Sequence, residues 1–157
     1  MLLRAAPLLA VLALGCTADT PPPSTPVREP VETRLDDGTP VVLDPVAREL
    51  RVGDETVAAG FAPTHVVVGA GGRIYVTDTG GGSVLLFRTR PHLKLQRRAA
   101  VPGRPFETVL DPDRRRLLVA TDDELVRMTA DGAPRIQERI PAPGADGEIR
   151  RLPSPDE

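Results

Sequence analysis

The sequence predicts an all-β protein made of short antiparallel four-stranded meanders, and three observations carry that expectation. After Val31, β-branched and apolar residues gather in short runs separated by Gly, Pro and Asp turn signals, which leaves no room for a helix of ordinary length. Segments led by Pro63 and Pro105 repeat the same order of runs and turns 42 residues apart. A shorter copy precedes them: Val42-Leu43-Asp44-Pro45 followed by Leu50-Arg51-Val52 matches Val109-Leu110-Asp111-Pro112 followed by Leu117-Leu118-Val119. A four-stranded repeat of about 40 to 45 residues has the length of a propeller blade. Closed propellers use about four to eight blades, so two to three copies predict an incomplete, propeller-like domain. A small β-sandwich made from the same meanders is the alternative architecture.

The elements follow in order. In the first full copy, strands are expected at 64–68, 73–77, 83–87 and 93–101, joined by Gly69-Ala70-Gly71-Gly72, the turn 79–82 and Thr89-Arg90-Pro91. In the second they are expected at 106–110, 116–121, 124–129 and 135–140, with turns at Asp111-Pro112-Asp113, Asp122-Asp123 and Asp131-Gly132. The leading copy contributes strands around 42–45, 50–52 and 56–59. Inward slots of the aligned repeats place Val67, Ile74, Val76, Leu85, Val109, Leu117, Val119, Leu125 and Ile136 in the core.

Ala62-Pro63-Thr64-His65-Val66-Val67-Val68 followed by Gly72-Arg73-Ile74-Tyr75-Val76-Thr77-Asp78 resembles the YVTN and NHL class of β-propeller repeats. Asp78 stands where the YVTN motif has asparagine, and the second copy reads Leu118-Val119-Ala120-Thr121. The resemblance covers roughly residues 44–144 and implies architecture. The class includes scaffolds, ligand binders and lactonase-like enzymes, so it implies no single activity.

The first 30 residues predict an address. Arg4 precedes an apolar run over 8–14, and Ala13-Leu14-Gly15-Cys16 resembles a bacterial lipobox ending in the only cysteine of the chain. The run is too short for a membrane-spanning helix, which needs about 20 apolar residues. A signal peptide with a chance cysteine is the alternative, and it would leave an odd thiol in an oxidising compartment. The expected organisation is a signal peptide at 1–15, lipidated Cys16 with a Pro-rich spacer at 16–30, a β-repeat domain at 31–144 and a tail at 145–157. Lipid on Cys16 would hold the domain on the extracytoplasmic face of the cell membrane.

Charge is unevenly spread. Between Arg88 and Arg116 the chain carries nine basic residues against three acidic ones, while the whole chain has a formal net charge of −2. Arg88, Arg90, Lys94, Arg97 and Arg98 form a candidate anion-binding patch for anionic lipid head groups or wall polyanions. Charge on an outer strand that blocks edge pairing is the simpler reading of the same residues. Without interleaved aromatic residues, and outside the cytoplasm, nucleic acid is not the expected partner.

The remaining motifs point to turns. Asp78-Thr79-Gly80 matches the Asp-Thr-Gly of aspartic proteases, whose mechanism needs a second such carboxylate; it sits in a glycine-rich hairpin turn. Gly69-Ala70-Gly71-Gly72 leads into a strand where a dinucleotide loop leads into a helix. Ser83, in Gly81-Gly82-Ser83-Val84-Leu85, lacks the closing glycine of a nucleophile elbow, and His65 and His92 are not spaced as zinc ligands. Clustered acids at Asp111-Pro112-Asp113 and Asp122-Asp123-Glu124 lack the alternating spacing of a calcium loop. The resulting expectation is a non-enzymatic lipoprotein without cofactor or metal, binding a protein or glycan of the cell envelope and associating with itself to complete its blades. A propeller-type lactonase or hydrolase, or a truncated propeller without function, are the competing readings.

Overall fold

A computed structural model describes residues 28–142; the expected signal peptide, Cys16, most of the spacer and the tail lie outside the described residues. Among the described residues twelve strands form three four-stranded antiparallel sheets, each in simple chain order. The first sheet holds β1 (Val31–Arg34), β2 (Pro40–Asp44), β3 (Glu49–Val52) and β4 (Glu55–Ala58). The second holds β5 (Pro63–Val68), β6 (Arg73–Asp78), β7 (Ser83–Arg88) and β8 (Lys94–Ala100). The third holds β9 (Pro105–Leu110), β10 (Arg116–Thr121), β11 (Glu124–Thr129) and β12 (Ile136–Pro141). The leading copy is thus a full meander. Its first strand, Val-Glu-Thr-Arg, is too short and polar to announce itself.

Burial shows how the sheets stack. In β2, β3, β10 and β11 buried residues alternate with more exposed ones, as in strands covered on one face. In β6 and β7 almost every residue is buried, the pattern of strands covered on both faces. The second sheet is therefore the middle layer. On one side Ile74, Val76, Leu85 and Phe87 meet Val41, Leu43, Leu50 and Val52 of the first sheet. On the other, Tyr75, Val84 and Leu86 meet Leu117, Val119, Val126 and Met128 of the third. Three layers with two cores replace the two layers of the sandwich alternative. The innermost strand β5 touches both β1 and β9, so the first strands of the three meanders line one axis, as in successive blades of an unclosed propeller.

The expected core is corrected in the third sheet. Ile74, Val76, Leu85, Leu117 and Val119 are buried, but Val109 is 49% and Ile136 41% exposed, and Val67 and Leu125 are only half-buried. Thr108 and Val126 take the inward slots instead. Thr108 lies opposite buried Val119 and Val109 opposite Leu118, while Val126 alternates with buried Met128, so plain alternation turns Val109 and Leu125 outward; the register shifts at Ala120/Thr121 and Arg127/Met128 lie beyond these pairs.

The two outer faces differ. Alternation places Glu32, Arg34, Glu49 and Arg51 on the open face of the first sheet. The open face of the third carries Val109, Leu118, Ala120, Leu125 and Ile140, with Arg127 and Glu138 ion-paired among them.

Candidate functional site

The strand directions give the domain two ends. The sheet-to-sheet connections, 59–62 and 101–104, lie at one; at the other, β1, β5 and β9 finish side by side. There an open groove of about 490 Å³ is lined by Thr33, Arg34, Val66–Val68, Leu110 and charged turn residues. Its size falls in the range of small-molecule sites, about 300–1,000 Å³.

Charge pairs frame this groove. Asp36, in the β1–β2 turn, accepts a 2.7 Å hydrogen bond from Arg114 Nη1 in the β9–β10 turn. That bridge joins the first sheet to the third across the end of the second. Arg34 donates to the Gly38 carbonyl at 3.0 Å, and Asp111 Oδ1 accepts the backbone N–H groups of Arg115 and Arg116 at 2.9 and 3.2 Å. Arg114 reaches its position with a left-handed backbone, φ 54°. The arrangement offers guanidinium groups and carboxylates beside an apolar floor of valines, which suits recognition of a polar ligand with an apolar side.

At the linker end the most enclosed charged group is Asp78, at the end of β6. Its side chain is fully buried and accepts backbone N–H groups from Phe61 (3.0 Å), Ala62 (2.8 Å) and Gly81 (3.1 Å). Arg98 Nη1 of β8 stands 3.3 Å from the other carboxylate oxygen and 3.2 Å from Ser83 Oγ. A Cβ at Gly60 would sit 2.6 Å from Asp78 Oδ2, and Gly60 has φ 113°, so glycine is required there. With its lone pairs engaged by the linker and the turn, Asp78 serves to fasten the first sheet's exit to the second.

The candidate basic patch is spread over both ends. Arg98 is bound to Asp78. Arg88 donates through Nε to Gln96 at 2.9 Å, and Arg90 stands 3.8 Å from Asp37, across the boundary with the first sheet. Lys94 and Arg97 are exposed on β8 and have no ion-pair partner among the described residues. Cys16 lies outside the described residues.

The other chemistry-bearing residues also have places. His92 lies 3.3 Å from Glu55, while His65 is on the axial strand β5. Glu124 receives Arg139, and Asp111 caps its own turn. Among the described residues no group of three or more His, Cys, Asp or Glu side chains is placed to hold a metal ion. Sequence reading missed Asp36 and Arg114, since nothing in the chain signals that turns 78 residues apart meet. It also omitted Arg73, which lies before the arginine-rich stretch yet pairs directly with Arg88.

No family model matches the chain, and no curated protein matches it. Among solved structures the chain is similar to a functionally unknown protein from Desulfotomaculum acetoxidans DSM 771, at a TM-score of 0.56 and 14% identity. The match covers 65% of this chain and 38% of the other, so this chain spans well under half the length of its neighbour. The likeness shows the fold alone.

Proposed function

We infer that this chain is a lipid-anchored extracytoplasmic binding module that uses a YVTN/NHL-type repeat domain to engage a protein or glycan of the cell envelope. The observation that carries the binding reading is the groove where β1, β5 and β9 end. Three separate sheets contribute to it, and the Asp36–Arg114 bridge spans it from the first sheet to the third. A site built this way is held by the packing of the sheets and presents guanidinium groups and carboxylates without using them for the core. The lipid-anchor reading rests on the lipobox-like Ala13-Leu14-Gly15-Cys16 and the proline-rich spacer after it.

Two measurements test the proposal. Growth with a palmitate analogue should label the wild type and leave Cys16→Ala unlabelled; labelling of both would refute the anchor. Co-sedimentation with a washed envelope fraction of proteins and glycans should fall several-fold in an Arg34→Glu/Arg114→Glu variant. Unchanged sedimentation of that variant would remove the groove as the binding site.

A further inference from the structure

At the groove end of the second sheet the registers align three cations. Arg73, the first residue of β6, pairs with Arg88, the last of β7, and Arg88 pairs with Lys94, the first of β8. Directly opposite residues share a face, and like charges so placed repel. The face is the one that carries Tyr75 and Leu86 toward the third sheet, two residues along from Arg73 and Arg88. Among the described residues one carboxylate answers the three: Asp131 of the β11–β12 turn, 3.8 Å from Arg73 Nη1. Arg88 uses Nε on the neutral Gln96. The Nε of Arg73 is enclosed and has no hydrogen-bond partner among the described residues. Buried polar atoms almost always have partners, so this orphan donor beside two further cations is a second, independent mark of a missing acceptor.

We propose that Arg73, Arg88 and Lys94 form a binding site for a phosphate oxyanion, at the groove end of the second sheet beside the β11–β12 turn that carries Asp131. A tetrahedral anion supplies several acceptor oxygens at once. It offsets the repulsion along the ladder, and the arginine forks match its geometry. Asp131 flanks the ladder and disfavours a second anion, so the site holds one group. The site is separate from the groove and does not depend on it. The chain enters β1 at the linker end and leaves β12 at Pro141, beside Glu124 at that same end. If Cys16 carries the lipid, a point that rests on the anchor reading, the phosphate site lies at the end away from the tether's attachment.

The test is isothermal titration of the full mature chain, in a neutral detergent, with inorganic phosphate and separately with sn-glycerol 3-phosphate. One saturable site is expected, with a dissociation constant of about 1 mM or tighter. Arg88→Gln and Lys94→Gln should each weaken it by about tenfold, the loss of one charge-assisted hydrogen bond. Arg97→Gln, on the same outer strand but opposite Leu86 and outside the Arg73–Arg88–Lys94 row, should leave it unchanged. Preference for glycerol phosphate would support the site and assign a headgroup-type source; preference for inorganic phosphate would support it and assign the free ion. Absence of saturable heat with both probes would overturn the proposal, as would an equal loss in Arg97→Gln, because then only diffuse charge is being read. Circular dichroism of each variant separates loss of binding from loss of fold. None of these outcomes bears on the palmitate labelling or the groove variant.

Discussion

The carboxylate of Asp78 and the guanidinium of Arg98 meet at 3.3 Å, the acid fully buried and the base half-exposed. Breaking a buried charge network by removing one partner is costly because the groups left behind stay desolvated. Here those groups are the N–H donors of Phe61, Ala62 and Gly81. Asp78→Leu should therefore lower unfolding free energy by about 3 kcal/mol or more. Asp78→Asn keeps one acceptor oxygen and should cost less than half of that. Urea unfolding of the two variants checks the order, and equal losses would show that the N–H donors contribute little.

Register in the third sheet gives a second prediction. Leu117→Ala and Phe87→Ala remove fully buried side chains and should each cost about 3–4 kcal/mol. Val109→Ala and Ile136→Ala should fall within about 0.5 kcal/mol of wild type, as exposed positions do. A large loss at Val109 would mean that β9 is shifted by one residue.

The Asp36–Arg114 bridge is exposed on both sides, 61% and 46%. Such pairs contribute about 0.2–1 kcal/mol and weaken with salt. A double-mutant cycle of Asp36→Ala and Arg114→Ala should give a coupling within that range at low salt, with little left at 1 M. A coupling of several kcal/mol would show the bridge to be far less solvated than its exposure indicates.

Glu55 of β4 gives a pH-dependent prediction. The backbone N–H of Leu93, and next the His92 side chain, hold its carboxyl below the ordinary value of 4.5. A depressed acid contributes stability above its unfolded value and loses it as the pH falls through the folded one. The stability difference between wild type and Glu55→Gln should be present at neutral pH and close as the pH falls below 4.5 and through the depressed folded-state value. A difference that stays constant down to pH 2 would show that ionisation of Glu55 is not involved. NMR titration of Glu55 reads the same shift directly.

By itself the sequence determined every strand except β1, their meander order and the sheet boundaries. Pro63 and Pro105 begin β5 and β9, and the glycine- and aspartate-rich turns fall between the strands that they separate. These features are local: runs of β-branched residues need an extended backbone, and turn residues need their own dihedral angles. The continuous apolar runs Ile74-Tyr75-Val76 and Val84-Leu85-Leu86-Phe87 read in the sequence only as strands, and their burial on both faces emerged from the stacking of the sheets.

Only the tertiary structure decided which face each third-sheet strand buries, because β9 and β11 carry adjacent apolar residues, Val109-Leu110 and Leu125-Val126, and alternation by itself does not choose which of each pair points inward. It alone brought Asp36 to Arg114, and it alone lined up Arg73, Arg88 and Lys94 while sending Arg98 to Asp78 at the other end. A run of basic residues has no direction until pairing assigns each side chain to a face and an end. The groove and the cation ladder therefore come from packing three separately legible meanders against one another.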